Sequence, residues 1–144
     1  MKIVGFQKLT LLDYPEKTAC TVFTPGCNFR CPFCHNAGLV LSPREESVQT
    51  ETAFFAFLCK RQGLLDGVCI TGGEPLLQPD LQSFCENIHR LGFLVKLDTN
   101  GSFPGKLREI IESGAVDYVA MDLKNSPGKY PNTTGCTPDM NAIR

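Results

Sequence analysis

Four short stretches rich in β-branched and apolar residues recur along this chain, and each runs directly into a polar or metal-binding cluster. Thr18–Thr24 leads through Pro25-Gly26 into a cysteine-rich loop. Gly67–Thr71 leads into Gly72-Gly73-Glu74-Pro75, Phe93–Asp98 into Thr99-Asn100-Gly101, and Val116–Asp122 into Leu123-Lys124. Helical patterns separate these stretches. Thr50 to Arg61 has Thr50 as its N-cap and Gly63 just past its end. Pro79 to Leu91 places Leu81, Phe84, Cys85, Ile88 and Leu91 on one face. Pro104 to Ser113 turns Leu107, Ile110 and Ile111 inward. Strands alternating with helices predict βαβ units and a parallel sheet, an α/β fold. Right-handed crossovers then bring every strand C-terminus to one edge, where such folds build their sites. All four clusters fall on that edge. Ser42 to Gln49 reads as a polar loop, and the tail from Asn125 shows no periodic pattern.

The first cluster is Cys27-Asn-Phe-Arg-Cys31-Pro-Phe-Cys34, spaced C-x3-C-x2-C. Three thiolates this close suit three irons of a 4Fe–4S cluster, which usually takes four cysteines. The next cysteine is Cys59, so one iron would stay open for chemistry. Other readings share these residues. Cys31-Pro-Phe-Cys34 is a thioredoxin-type pair, which leaves Cys27 and the later clusters unexplained. With His35 it is a c-type haem pattern, which needs export. Cys27, Cys31, Cys34 and His35 also make a Cys3His zinc set, although no second ligand pair follows. The spacing favours iron–sulfur and leaves zinc and redox readings open.

The remaining clusters have two readings each. Gly72 and Gly73 let a backbone approach a ligand closely, with Glu74 adding a carboxylate; the same string is an ordinary turn. Asp98 suits a ribose or a cation, or is a solvated turn residue. Asp122 and Lys124 suit a ligand and its counter-ion, or form a surface pair of little energy. Phe33 suits packing on an adenine ring, or packing within its own loop. His89, on the polar part of a helix, has no assigned role.

Composition excludes several classes. A net charge of −1 over 144 residues gives no electrostatic case for nucleic acid or membrane surfaces. No apolar run approaches the ~18 residues of a membrane span, and the N-terminus lacks a secretory pattern. Eight cysteines could signal a disulfide scaffold, but Cys59, Cys69 and Cys85 fall within helix or strand patterns, where free cysteine acts as a small hydrophobe. A reduced, cytoplasmic protein is expected.

Taken together, the cysteine loop and Gly-Gly-Glu-Pro resemble the radical S-adenosylmethionine superfamily. The strings Gly5–Pro15, Thr24–Asn36, Asp98–Gly101 and Asp122–Lys124 narrow the resemblance to activating proteins of glycyl radical enzymes, nearest to those of anaerobic ribonucleoside-triphosphate reductase. The resemblance implies that Cys27, Cys31 and Cys34 hold the cluster. It implies that Gly72, Gly73 and Glu74 bind the amino group of S-adenosylmethionine, and that Phe33 and His35 flank the adenine. Asp98, Thr99 and Asp122 would form a cation or cofactor site near the methionyl carboxylate, with Lys124 beside it. A flavodoxin-like donor would supply the electron that cleaves the sulfonium, and the resulting radical would take a hydrogen from a glycine of the partner enzyme. A related small-molecule enzyme of the 7-carboxy-7-deazaguanine synthase type is the alternative, against which its different cluster-loop spacing counts. A non-catalytic zinc or redox module is another. A side chain at Gly73 is expected to obstruct S-adenosylmethionine while sparing the cluster. The resemblance also implies a partial barrel of about six strands, of which four are readable here. Residues 1–144 are thus expected to form a single domain lacking its C-terminal strands. Asp139 would cap a helix whose body is absent, and strand four would keep an unpaired edge.

Overall fold

A computed structural model describes residues 1–41 and 48–143. The chain runs β1 (Gly5–Thr10), β2 (Ala19–Thr24), α1 (Ala37–Leu41), α2 (Glu51–Cys59) and β3 (Gly67–Gly72). It continues through a 3-10 turn (Pro75–Leu77), α3 (Leu81–Arg90), β4 (Leu94–Thr99), α4 (Pro104–Glu112) and β5 (Tyr118–Met121). A second 3-10 turn (Pro127–Lys129), α5 (Tyr130–Thr134) and α6 (Met140–Ile143) follow. The sheet order is β1-β2-β3-β4-β5. β2 to β5 are mutually parallel, and β1 is antiparallel to β2.

The four predicted strands and three main helices are present, with ends moved by a residue or two. Thr50 caps α2, its hydroxyl accepting from the Ala53 amide at 3.2 Å. α4 opens on Pro104. α3 begins at Leu81 rather than beside Pro79, with Asp80 as N-cap. Alternation sorts the strand residues by face. Cys20 and Val22, Val68 and Ile70, and Val95 and Leu97 point to the helices. There they meet Phe54 and Leu58 of α2, Leu81, Phe84, Cys85 and Ile88 of α3, and Ile110 of α4. Phe54 stacks on Phe84 at 5.2 Å. Burying each such side chain contributes about 1.5–3 kcal/mol.

Three parts of the sequence reading are corrected. Residues 5–10 form a fifth strand. Phe6 packs edge-on against Phe54 and Phe57, while Gln7, Lys8 and Leu9 stay exposed. An edge strand with three exposed residues in a row lacks the alternation by which strands are read. The tail is ordered into two helices of five and four residues, too short to show a period. Asp139 caps the four-residue α6, accepting from the Asn141 amide at 2.9 Å. Cys59, placed with the buried free cysteines, is exposed. The predicted polar loop at Ser42 to Gln49 lies mostly outside the described residues. Among the described residues nothing pairs with the outer edge of β5, where Tyr118 and Met121 are each 44% exposed.

Candidate functional site

Four loops at the C-terminal edge of the parallel strands enclose a cavity of about 580 Å³. Its walls include Cys27, Cys31, Phe33, Cys34 and His35 after β2, with Gly72 at the end of β3 and Gly73 just past it. Asp98 and Thr99 close it from β4, and Asp122 and Lys124 from the end of β5. The structure thus brings together every predicted site residue except Glu74.

The cysteine loop is held from two sides. Cys27 Sγ accepts from the Phe29 amide at 3.3 Å and from Asn100 Nδ2 at 3.7 Å. Asn100 also donates to Asn28 Oδ1 at 2.9 Å, and Asn28 in turn donates to Ser102 at 2.9 Å. The loop after β4 therefore fixes the first cysteine. Burial pushes the Cys27 and Cys31 thiols up, while the Lys124 ammonium draws Cys31 down. Three thiols on one wall of one cavity are a donor set that suits a 4Fe–4S cluster, each thiolate taking a different iron. Among the described residues no three His, Cys, Asp or Glu side chains close around a single ion.

Gly72 and Gly73 serve packing first. A Cβ on Gly73 would lie 1.7 Å from the Gly26 carbonyl oxygen, and Gly72 has φ +116° with its would-be Cβ 2.4 Å from the Thr24 amide nitrogen. Gly73 N donates to Thr24 O at 3.0 Å and Glu74 N to Gly26 O at 2.8 Å. The two glycines thus clamp the turn that launches the cysteine loop. This corrects the expectation that a side chain at Gly73 would spare the cluster: its first collision is with the protein's own turn. The Gly72 carbonyl already accepts from Asn36 Nδ2 at 3.0 Å.

Glu74 is fully buried beneath the cavity. Its carboxylate accepts from the Leu76 amide at 3.1 Å, the Thr99 hydroxyl at 2.8 Å and the Asn100 amide at 2.8 Å. Burial raises its pKa, against the pull of the Asn100, Thr99 and Leu76 donors and of Lys124. Here Glu74 braces the β4 loop.

Sequence reasoning missed Lys96, Asn36 and Asn100, all of which line the cavity. Lys96 is 7% exposed, pairs with Asp98 and lies 3.8 Å from Cys69 Sγ. Burial opposes its charge, but the Asp98 hydrogen bond and the nearby Cys69 and Asp13 outweigh that and raise its pKa. The available signal was alternation: in Val95-Lys96-Leu97-Asp98, the lysine shares the face of Asp98. Lys124 pairs with Asp122 on the cavity wall, an arrangement compatible with either sequence reading. Phe33 is 56% exposed at the cavity mouth, and His35 is exposed beside it.

Fold and site define an α/β protein whose cavity lies at the C-terminal edge of a parallel sheet and is walled by a three-cysteine loop. The family model of the Radical SAM superfamily matches residues 21–138, and the chain belongs to that superfamily. A Methanocaldococcus jannaschii protein, provisionally named a glycyl-radical enzyme activating enzyme, is 35% identical over 99% of this chain and 58% of its own length. A 7-carboxy-7-deazaguanine synthase of Hyperthermus butylicus is 40% identical over 74% of this chain and 43% of its own. The chain therefore spans about half the length of these relatives. Among solved structures, QueE from Escherichia coli aligns with a TM-score of 0.52 at 22% identity, over 69% of this chain and 52% of QueE. TYW1 aligns with a TM-score of 0.53 at 18% identity, over 86% of this chain and 47% of its own. These two likenesses concern the fold. Membership in the superfamily implies a 4Fe–4S cluster and S-adenosylmethionine. No helix among the described residues is long and apolar enough to cross a membrane.

Proposed function

We propose that this chain acts as a radical S-adenosylmethionine activase, generating a glycyl radical on a partner enzyme, with anaerobic ribonucleotide reductase as the partner and a flavodoxin-like protein as electron donor. The observation that carries the reading is the meeting of the three-cysteine loop, Gly72-Gly73, Asp98-Thr99 and Asp122/Lys124 around one cavity. The activase class is supported by the 35% identity to the Methanocaldococcus jannaschii protein, which extends over 99% of the chain.

In this reading Cys27, Cys31 and Cys34 hold the cluster, and the cavity beside them receives S-adenosylmethionine. When bound, the pair supplies one-electron cleavage of a sulfonium C–S bond. The chain positions and shields. Asn100 and the Phe29 amide donate to the Cys27 sulfur, which favours its thiolate. Asp98 and Asp122 present carboxylates, each already paired with a lysine, where the polar end of the cofactor or a cation would sit. Phe33 and His35, exposed at the mouth, would flank the adenine. Glu74 contributes by holding the Thr99 hydroxyl and the Asn100 amide rather than by reaching the ligand. A reducing, cytoplasmic setting accords with the eight free cysteines.

The test is anaerobic reconstitution with iron, sulfide, S-adenosylmethionine, a reduced flavodoxin and a candidate ribonucleotide reductase. A glycyl radical doublet by EPR on the partner, with 5′-deoxyadenosine formed, is expected. A second reading, a small-molecule enzyme, draws on the 40% identity to the deazaguanine synthase. Turnover of a small molecule with no glycyl radical on any partner would favour it.

A further inference from the structure

The segment after β5 folds back onto the cysteine loop without joining the sheet. Arg30 N donates to Thr134 O at 2.7 Å. Tyr130, 1% exposed, meets Phe29 edge-on with ring centroids 6.4 Å apart, and Ile143 completes this small apolar cluster against Cys27, Cys31 and Cys136. Thr134 is fully buried, and its hydroxyl lies 2.9 Å from Tyr130 O and 3.1 Å from Cys136 O. Gly135 takes φ +65°, and a Cβ there would fall 2.5 Å from Arg30 O. The Tyr130 hydroxyl accepts from Lys124 N at 3.2 Å, so the same tyrosine touches the opposite wall of the cavity.

These contacts bear on the loop between the first two cysteines. Arg30 immediately precedes Cys31, and its guanidinium binds the Cys27 and Phe29 carbonyls. A loop held only by its metal opens whenever a thiolate lets go; a loop also held by protein recloses first. We propose that Tyr130–Gly135 is a clamp that keeps the cysteine loop closed and retains the cluster, with Gly135 as its seat on Arg30 and Tyr130 as its anchor. The proposal rests on the cluster reading of that loop.

The experiment compares wild type, Gly135→Ala, Tyr130→Ala, Tyr130→Phe and Ile110→Val after anaerobic reconstitution with iron and sulfide. Iron release to bathophenanthroline is timed well below each melting temperature, and hydrogen exchange is read at the Arg30 amide. Local opening predicts release about tenfold faster or more in Gly135→Ala and Tyr130→Ala, with protection lost at Arg30. Tyr130→Phe keeps the ring and should stay within about twofold of wild type, as should Ile110→Val, which weakens the distant core. Unchanged release in Gly135→Ala and Tyr130→Ala overturns the clamp, as does equal acceleration in Ile110→Val. Loss of Arg30 protection without faster release overturns it too. Wild-type protein that takes up no iron defeats the cluster reading itself, and the retaining role with it.

Discussion

The two faces of one sheet divide the work of this molecule. Toward the helices, Cys20, Val22, Val68, Ile70, Val95 and Leu97 form a wholly apolar surface, each of them completely buried. Toward the cavity, register sets Thr21, Cys69, Lys96 and Tyr118 side by side across four strands, with Asp98 and Ala120 one step nearer the site. Asp13 reaches this face from the β1–β2 connection and accepts from the Thr21 hydroxyl at 2.6 Å. The first face supplies the hydrophobic energy of the fold. The second spends buried surface on a lysine, a carboxylate and a thiol whose pKa burial drives up. Polar groups cost free energy inside a protein unless paired, so a paired polar face opening onto a cavity marks where function outweighs stability.

The largest effect that would sharpen this contrast lies in the cysteine loop. Cys27→Ala, Cys31→Ala and Cys34→Ala should each abolish iron and sulfide binding, measured by metal analysis and visible absorbance. Cys85→Ala, on the helix face, should retain it. Iron held equally by the three loop variants would break the comparison.

Next comes Gly73→Val. The new Cβ displaces the Gly26 carbonyl, so iron content should fall by more than half along with S-adenosylmethionine affinity. Calorimetry showing lost affinity at full iron content would restore the simpler view that this glycine serves only the ligand.

On the helix face, Phe84→Ala should destabilise by about 3–5 kcal/mol, because its buried ring packs against both Phe54 and Phe55. Urea unfolding checks this. Iron per folded chain should not change, and a parallel loss of iron would show that the faces are not separable.

The smallest effect concerns Lys96→Met on the cavity face. Asp98 keeps about a third of its side chain in solvent, so losing its partner should cost only about 1–2 kcal/mol. The sign with pH follows from the raised lysine pKa. Its stabilisation is complete below the ordinary value of 10.5 and is lost as pH rises through the higher folded value. Wild type should therefore lose stability across that alkaline window, whereas Lys96→Met should be flatter there, as read from thermal unfolding at stepped pH.

Strand and helix order was legible because burial on one face imposes a period of 2 or 3.6 on the residues. The strand-end clusters were legible because parallel crossovers leave them only one edge to share. β1 was not legible, since three of its six side chains face water in succession. Residue types and spacing by themselves determined the α/β class, the edge carrying the site and the three candidate cluster ligands. Tertiary structure alone decided that Glu74 turns under the cavity to bind the Thr99 hydroxyl and the Asn100 amide, that Gly73 packs on Gly26, and that an aperiodic tail covers the cysteine loop. The reason is physical: periodicity reports which face of an element is buried, whereas these three outcomes turn on contacts between loops distant in the sequence, many of them made by backbone donors and acceptors that nearly every residue type carries.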